Sequence, residues 1–157
     1  MTAQGHRLTI AEIDPAAHEA VLGLERYVIA GDMEPTLLEL VKIRASQING
    51  CAFCLDMHNR DAREKGEAQR RLDVLAAWHE VPGLFSEREQ AALALTEAVT
   101  RIADAGVPDN VWDQASQHFS EQETIHLLMA IVTINVWNRL AVSTRQQPPS
   151  QGCPDPA

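Results

Sequence analysis

Helix punctuation is the feature that most narrows what this chain can become. Ser86-x-x-Glu89 and Ser120-x-x-Glu123 are capping boxes, in which the serine side chain accepts from the backbone three residues on and the glutamate returns the bond. Asp14-Pro15 sets an N-cap before a proline at the first helical position, and Pro35 and Pro108 open further segments. Gly31, Gly50 and Gly66 stand where apolar periodicity stops, and Val81-Pro82-Gly83 ends another stretch. No convincing stretch alternates with the period of two that a strand requires. These signals predict helices over residues 15–30, 35–49, 51–65, 68–80 and 87–99, a short segment from 108 to 119, and a long helix from 121 to 144. The expectation is one all-α domain, a bundle of six to seven helices.

The last helix carries Ile125, Leu128, Met129, Ile131, Val132, Ile134, Val136 and Leu140, so it is apolar on nearly all sides. Such a helix belongs at the centre of a bundle or at a subunit interface. Its apolar run is broken by Thr133, Asn135, Asn138 and Arg139, which argues against a transmembrane span. The 157 residues suffice for a real core without disulfides or metals. A net charge of −9 with no basic stripe makes nucleic acid or an anionic membrane a poor partner. The N-terminus lacks the apolar run of a signal peptide, and a cytoplasmic location is expected. Residues 1–13 read as an N-terminal extension, 14–145 as the helical domain and 146–157, QQPPSQGCPDPA, as a disordered tail.

Chemistry concentrates in NGCAFCLDMHNRD, residues 49–61. Cys51, Cys54, Leu55 and His58 are spaced i, i+3, i+4 and i+7 and share one helix face. Cys51 falls at the helix start, where free N–H groups and the positive end of the dipole stabilise a thiolate. His58 leans back toward Cys54 one turn earlier and can accept its proton. The first argument favours Cys51 as the reactive thiol and the second favours Cys54. Two sulfurs at this spacing suit a disulfide cycle through a sulfenic acid. A structural zinc site would need a fourth ligand, there is no second C-x-x-C, and Cys153 could be recruited only from the tail. Two inert core cysteines are the other alternative.

His79, His118 and His126 sit on predicted helices without a nameable partner and read as structural or exposed. Trp137-Asn138-Arg139 could line a pocket or an interface, with an interior tryptophan as the simpler alternative.

The stretch EPTLLELVKIRASQINGCAFCLDMHNRDAREKGE, residues 34–67, resembles the core of the AhpD-like alkylhydroperoxidases within the carboxymuconolactone decarboxylase family. FSEREQAALALTEAVT and INVWNRLAV extend the likeness over most of residues 14–145. The resemblance implies an all-helical fold assembled as homotrimers or homohexamers, with no haem, flavin or metal in the subunit. It implies thiol-dependent reduction of a small hydroperoxide, with an external dithiol, of lipoyl or thioredoxin-like type, as reductant. By the same likeness Cys54 is the peroxidatic thiol, Cys51 the resolving one, His58 the base and Glu39 the carboxylate of a proton relay. A glutamate on an amphipathic helix is more often a solvated surface residue, but Glu39 lies eleven residues before Gly50 and His58 eight after it. At about 1.5 Å per residue a hairpin turning at Gly50 puts them at similar depths, where carboxylate and imidazole could meet directly or through one water. The sequence departs from the family pattern at Phe53, where the best-studied peroxidases carry a second histidine between the cysteines. A redox-sensing module without turnover, and a non-redox decarboxylase or lactone-handling enzyme on the same fold, are the alternatives. Members that decarboxylate muconolactones lack the C-x-x-C, which argues against the latter.

Overall fold

A computed structural model describes residues 5–149 of the chain. The described residues form α1 (Ile10–Ile13), α2 (Pro15–Ile29), α3 (Pro35–Asn49), α4 (Ala52–Glu64), α5 (Gln69–Val74), a 3-10 helix (Leu75–Glu80), α6 (Glu87–Thr100), α7 (Ile102–Ala105), α8 (Asp109–His118) and α9 (Glu121–Thr144). No strand occurs among them. Both capping boxes are made in full, at Ser86 and Ser120, and the Asp14 side chain accepts from Ala17 N at 3.0 Å. The expected fourth helix is not continuous. It divides at Leu75 into α5 and a 3-10 helix whose Ala77 is non-helical (φ −122°, ψ 35°). Leu72 and Leu75 are buried there, while the Trp78 indole N–H donates to Glu97 on α6 at 2.9 Å. Two short helices, α1 and α7, add to the expected set.

The core is organised by α3 as much as by the apolar α9. Ten consecutive residues of α3, Leu37 to Ser46, are buried, because α4, α6 and α9 all pack on it. Its charged side chains are inside and paired: Lys42 with Glu25 of α2, Arg44 with Glu97 of α6, and Glu39 with α4. Pairing is what makes such burial tolerable, since an isolated buried charge costs several kcal/mol. One apolar cluster joins α2, α3, α6, α8 and α9 through Val28, Leu38, Leu95, Ala115 and Ile131, and a second joins α3, α4, α5, the 3-10 helix and α6 through Leu40, Ala62, Leu72, Leu75 and Leu93. α9 is long and apolar enough to cross a membrane, but it packs inside the bundle on α2, α3, α4, α6 and α8.

Gly31 follows α2 and needs to be glycine for a steric reason. A Cβ there would lie 1.6 Å from Cε1 of His126. The His126 ring is buried with Nε2 at 2.8 Å from the Val28 carbonyl, so α9 closes on the end of α2 through this contact. His79 stacks edge-on against Trp78, and the His118 carbonyl accepts from Arg88. His126 and His79 thus have ring contacts of their own, and none of the three histidines lies on α4 with the cysteines.

Candidate active site

The α3–α4 turn places the cysteines. Gly50 closes α3 in the left-handed region (φ 65°), which glycine reaches without a Cβ penalty. Cys51 N then donates to Ser46 O at 3.0 Å, and Cys51 becomes the N-cap of α4 with its sulfur accepting from Cys54 N at 3.3 Å. The two sulfurs face each other in close contact, across a Cα–Cα separation of 5.4 Å that a disulfide can span. Both cysteines are 2% exposed and pack with Ala45, Ile134 and Ala141, partly covered by Phe53 and Trp137.

His58, one turn beyond Cys54, is buried, and its Nδ1 lies 2.8 Å from Oε2 of Glu39 across the hairpin. Glu39 and His58 therefore meet directly, without an intervening water. A carboxylate only accepts, so this bond puts the proton on Nδ1 and leaves Nε2 free to take another. The second oxygen of Glu39 is held by the Lys65 ammonium, just past the end of α4. Burial pushes the Glu39 carboxyl up. The hydrogen bond and charge of His58, the hydrogen bond of Lys65 and the charge of Lys42 outweigh that and hold it below its ordinary value.

A cavity of about 430 Å³ opens onto this group. Cys54, His58, Glu39 and Lys65 line it, whereas Cys51 does not. Its remaining wall is mainly apolar, with Phe53, Met57, Leu22 and Leu140, and Trp137 packs edge-on to His18 (centroids 5.5 Å apart). The segment ahead of α2 supplies another wall through Leu8 and Ile10, tied to the end of α9 by Arg7 N to Thr144 O at 2.9 Å and Arg7 Nη1 to Ser143 O at 3.0 Å. Sequence reasoning missed Lys65, Asp61 and this N-terminal wall. Lys65 was findable, being seven residues beyond His58 on the same face. The N-terminal contact had no local signal.

Ligand atoms of Glu39, His58 and Asp61 lie within 4.8 Å of one another, the one group among the described residues with the makings of a cation site. Both oxygens of Glu39 already have donors, and the Lys65 ammonium repels a second cation, so the donor set does not suit a metal. Cys153 lies outside the described residues.

The described residues are by class an all-helical bundle, with a buried C-x-x-C-x-x-x-H face and a carboxylate behind the histidine. The model of the carboxymuconolactone decarboxylase family matches residues 15–98, and the chain belongs to that family, on its AhpD-like side. It is 39% identical over 137 residues to the uncharacterised protein YdfG of Bacillus subtilis strain 168, covering 87% of this chain and 92% of that one. A solved structure of ATU0492 from Agrobacterium tumefaciens, a protein of unknown function named as a candidate AhpD antioxidant defence protein, aligns with TM-score 0.90 and 41% identity over 92% of this chain and 99% of that one. An uncharacterised peroxidase-related protein from Silicibacter sp. TM1040 shares the fold at TM-score 0.74 and 18% identity, over 85% of this chain and 70% of that one.

Proposed function

We propose that the protein is a thiol peroxidase of the alkylhydroperoxidase type, working through Cys51 and Cys54. The observation that carries this reading is that Cys54, and not Cys51, lines the cavity that also holds the His58–Glu39 pair. In the reduced protein His58 Nε2 takes the Cys54 proton, and Glu39 stabilises the imidazolium through Nδ1–H. The thiolate attacks the terminal oxygen of a hydroperoxide, the O–O bond breaks, and the alcohol leaves with the proton returned by His58. The Cys54 sulfenic acid is then attacked by Cys51, forming the disulfide and releasing water. An external dithiol, of lipoyl or thioredoxin-like type, restores both thiols and becomes a disulfide, so the sum is hydroperoxide plus dithiol to alcohol, water and disulfide.

The apolar wall favours an organic hydroperoxide, and Phe53 in place of a second histidine leaves His58 as the base beside the sulfurs. The antioxidant designation of the ATU0492 relative is consistent with this chemistry. A cytoplasmic location, where dithiol donors are abundant, follows from the same reading. Exposed Ile125, Val132 and Val142 on α9, with Ile29 on α2, suit a homo-oligomer, trimer or hexamer.

The test is hydroperoxide consumption driven by dihydrolipoamide. Wild type should turn over, Cys51→Ser and Cys54→Ser should not, and Glu39→Gln and His58→Ala should slow the oxidation step about a hundredfold. Cys51→Ser should accumulate the sulfenic acid on Cys54. A wild type that closes and reopens its disulfide yet consumes no hydroperoxide would replace this reading with the redox sensor.

A further inference from the structure

The α9 residues beside Trp137 enter neither the relay nor the cavity chemistry, yet they touch the turn that carries the cysteines. Asn49, the last residue of α3 and two before Cys51, donates both amide hydrogens to α9, to Asn135 Oδ1 and Asn138 Oδ1, each at 2.9 Å. Asn138 is fully buried and passes its own amide to Ser46 Oγ at 3.0 Å, which donates to Lys42 O at 2.7 Å. Ser46 is also the residue whose carbonyl receives Cys51 N at 3.0 Å. Asn135 is fixed in turn by Thr100 of α6 at 3.0 Å, by Ile131 O at 2.9 Å and by Arg139 at 2.7 Å.

From this geometry we infer that Asn49, Asn135 and Asn138 form a clamp that positions the Cys51–Cys54 turn and sets how readily its disulfide forms. The inference rests on reading the pair as a redox couple. A bundle built only for stability has little use for three amides here, since apolar side chains of the same shape fill an interior at no net loss. A satisfied polar network instead admits only one arrangement of its partners. That arrangement fixes both ends of the turn: Asn49 before Gly50, and Ser46 O on the amide of Cys51. Held this way, the two thiols of the reduced protein keep their bonding geometry, so closing the disulfide costs little conformational freedom. Asn49, Asn135 and Asn138 are positioning residues, and they touch no reacting atom.

The readout is the equilibrium of the pair with a dithiol–disulfide buffer, in which protein disulfide plus dithiol gives protein dithiol plus disulfide. In Asn49→Ala, whose side chain is only part-buried, and in Asn138→Ala, the freed turn should bring the thiols together less often. The disulfide should become about tenfold easier to reduce, about 30 mV for this two-electron couple. Ser120→Ala, which removes a helix cap far from the turn, should lower stability and leave the potential unchanged. Potentials in both asparagine variants equal to wild type would overturn the clamp and leave the network purely structural, because a structural loss lowers oxidised and reduced forms alike. A wild type that equilibrates with the buffer but consumes no hydroperoxide leaves the clamp standing and removes only the peroxidase. A wild type that never equilibrates removes both.

Discussion

Single residues decide more of this protein than their type suggests. Glu39, Lys42 and Arg44 carry charges that ordinarily stay in water, yet each is buried against a partner from a different helix. The family resemblance points to Glu39, its depth relative to the Gly50 turn supports it, and the structure brings it to His58. Its second donor, Lys65, was not foreseen, because which side chain reaches over a carboxylate depends on how the hairpin closes. Gly31 is the reverse case. Its position marks a helix end in sequence, but its necessity comes from His126, ninety-five positions away in the chain. Gly31→Ala should therefore destabilise by about 2 kcal/mol or more, since the added methyl displaces the buried ring and its bond to Val28 O. Urea unfolding checks this, and a midpoint within error of wild type would show that the ring is free to move.

At the scale of elements, start and stop signals were legible where they are local. The capping boxes at Ser86 and Ser120, the Asp14 cap and the left-handed Gly50 all stand where the residues indicate. They act within four residues, so no distant contact overrides them. Ser120→Ala should cost about 1 kcal/mol, the typical value for a lost N-cap, with melting followed by circular dichroism as the measurement. A neutral outcome would mean that α9 is held entirely by its packing. The fourth expected helix fared differently. Its apolar spacing holds, with Leu72 and Leu75 buried, but the helix breaks at Ala77, next to Trp78, whose indole reaches Glu97 of α6, a contact with no mark in the local sequence. Likewise α3 reads as one amphipathic helix among several, and its burial on every side follows from α4, α6 and α9 converging on it.

For the molecule as a whole, the paired interior carboxylates tie stability to pH. Burial pushes Glu39, Glu89 and Glu97 up, but their partners outweigh it: His58 and Lys65, then Arg71 and the Ser86 cap, then Trp78 and Arg44, respectively. All three are held below the ordinary 4.5. A carboxyl lowered in the folded state contributes stability that is fully present above its unfolded value and lost as pH falls through the folded one. Stability should thus be flat near neutral pH and decline once the pH drops below about 4.5. Glu97→Gln should lower the urea midpoint at neutral pH and decline less steeply in acid. An acid slope identical to wild type would place the sensitivity elsewhere.

The sequence by itself determined that the chain is helical, where most of its helices begin and end, and that Cys51, Cys54 and His58 share a face, because caps and helical spacing act over a few residues. Only the tertiary structure decided that Cys54 rather than Cys51 meets the cavity, that Lys65 completes the carboxylate's partners, and that Asn135 and Asn138 of α9 hold Asn49 beside the cysteine turn. Those outcomes depend on how helices far apart in sequence close on one another, and that packing is a property of the whole bundle, absent from any single stretch of it.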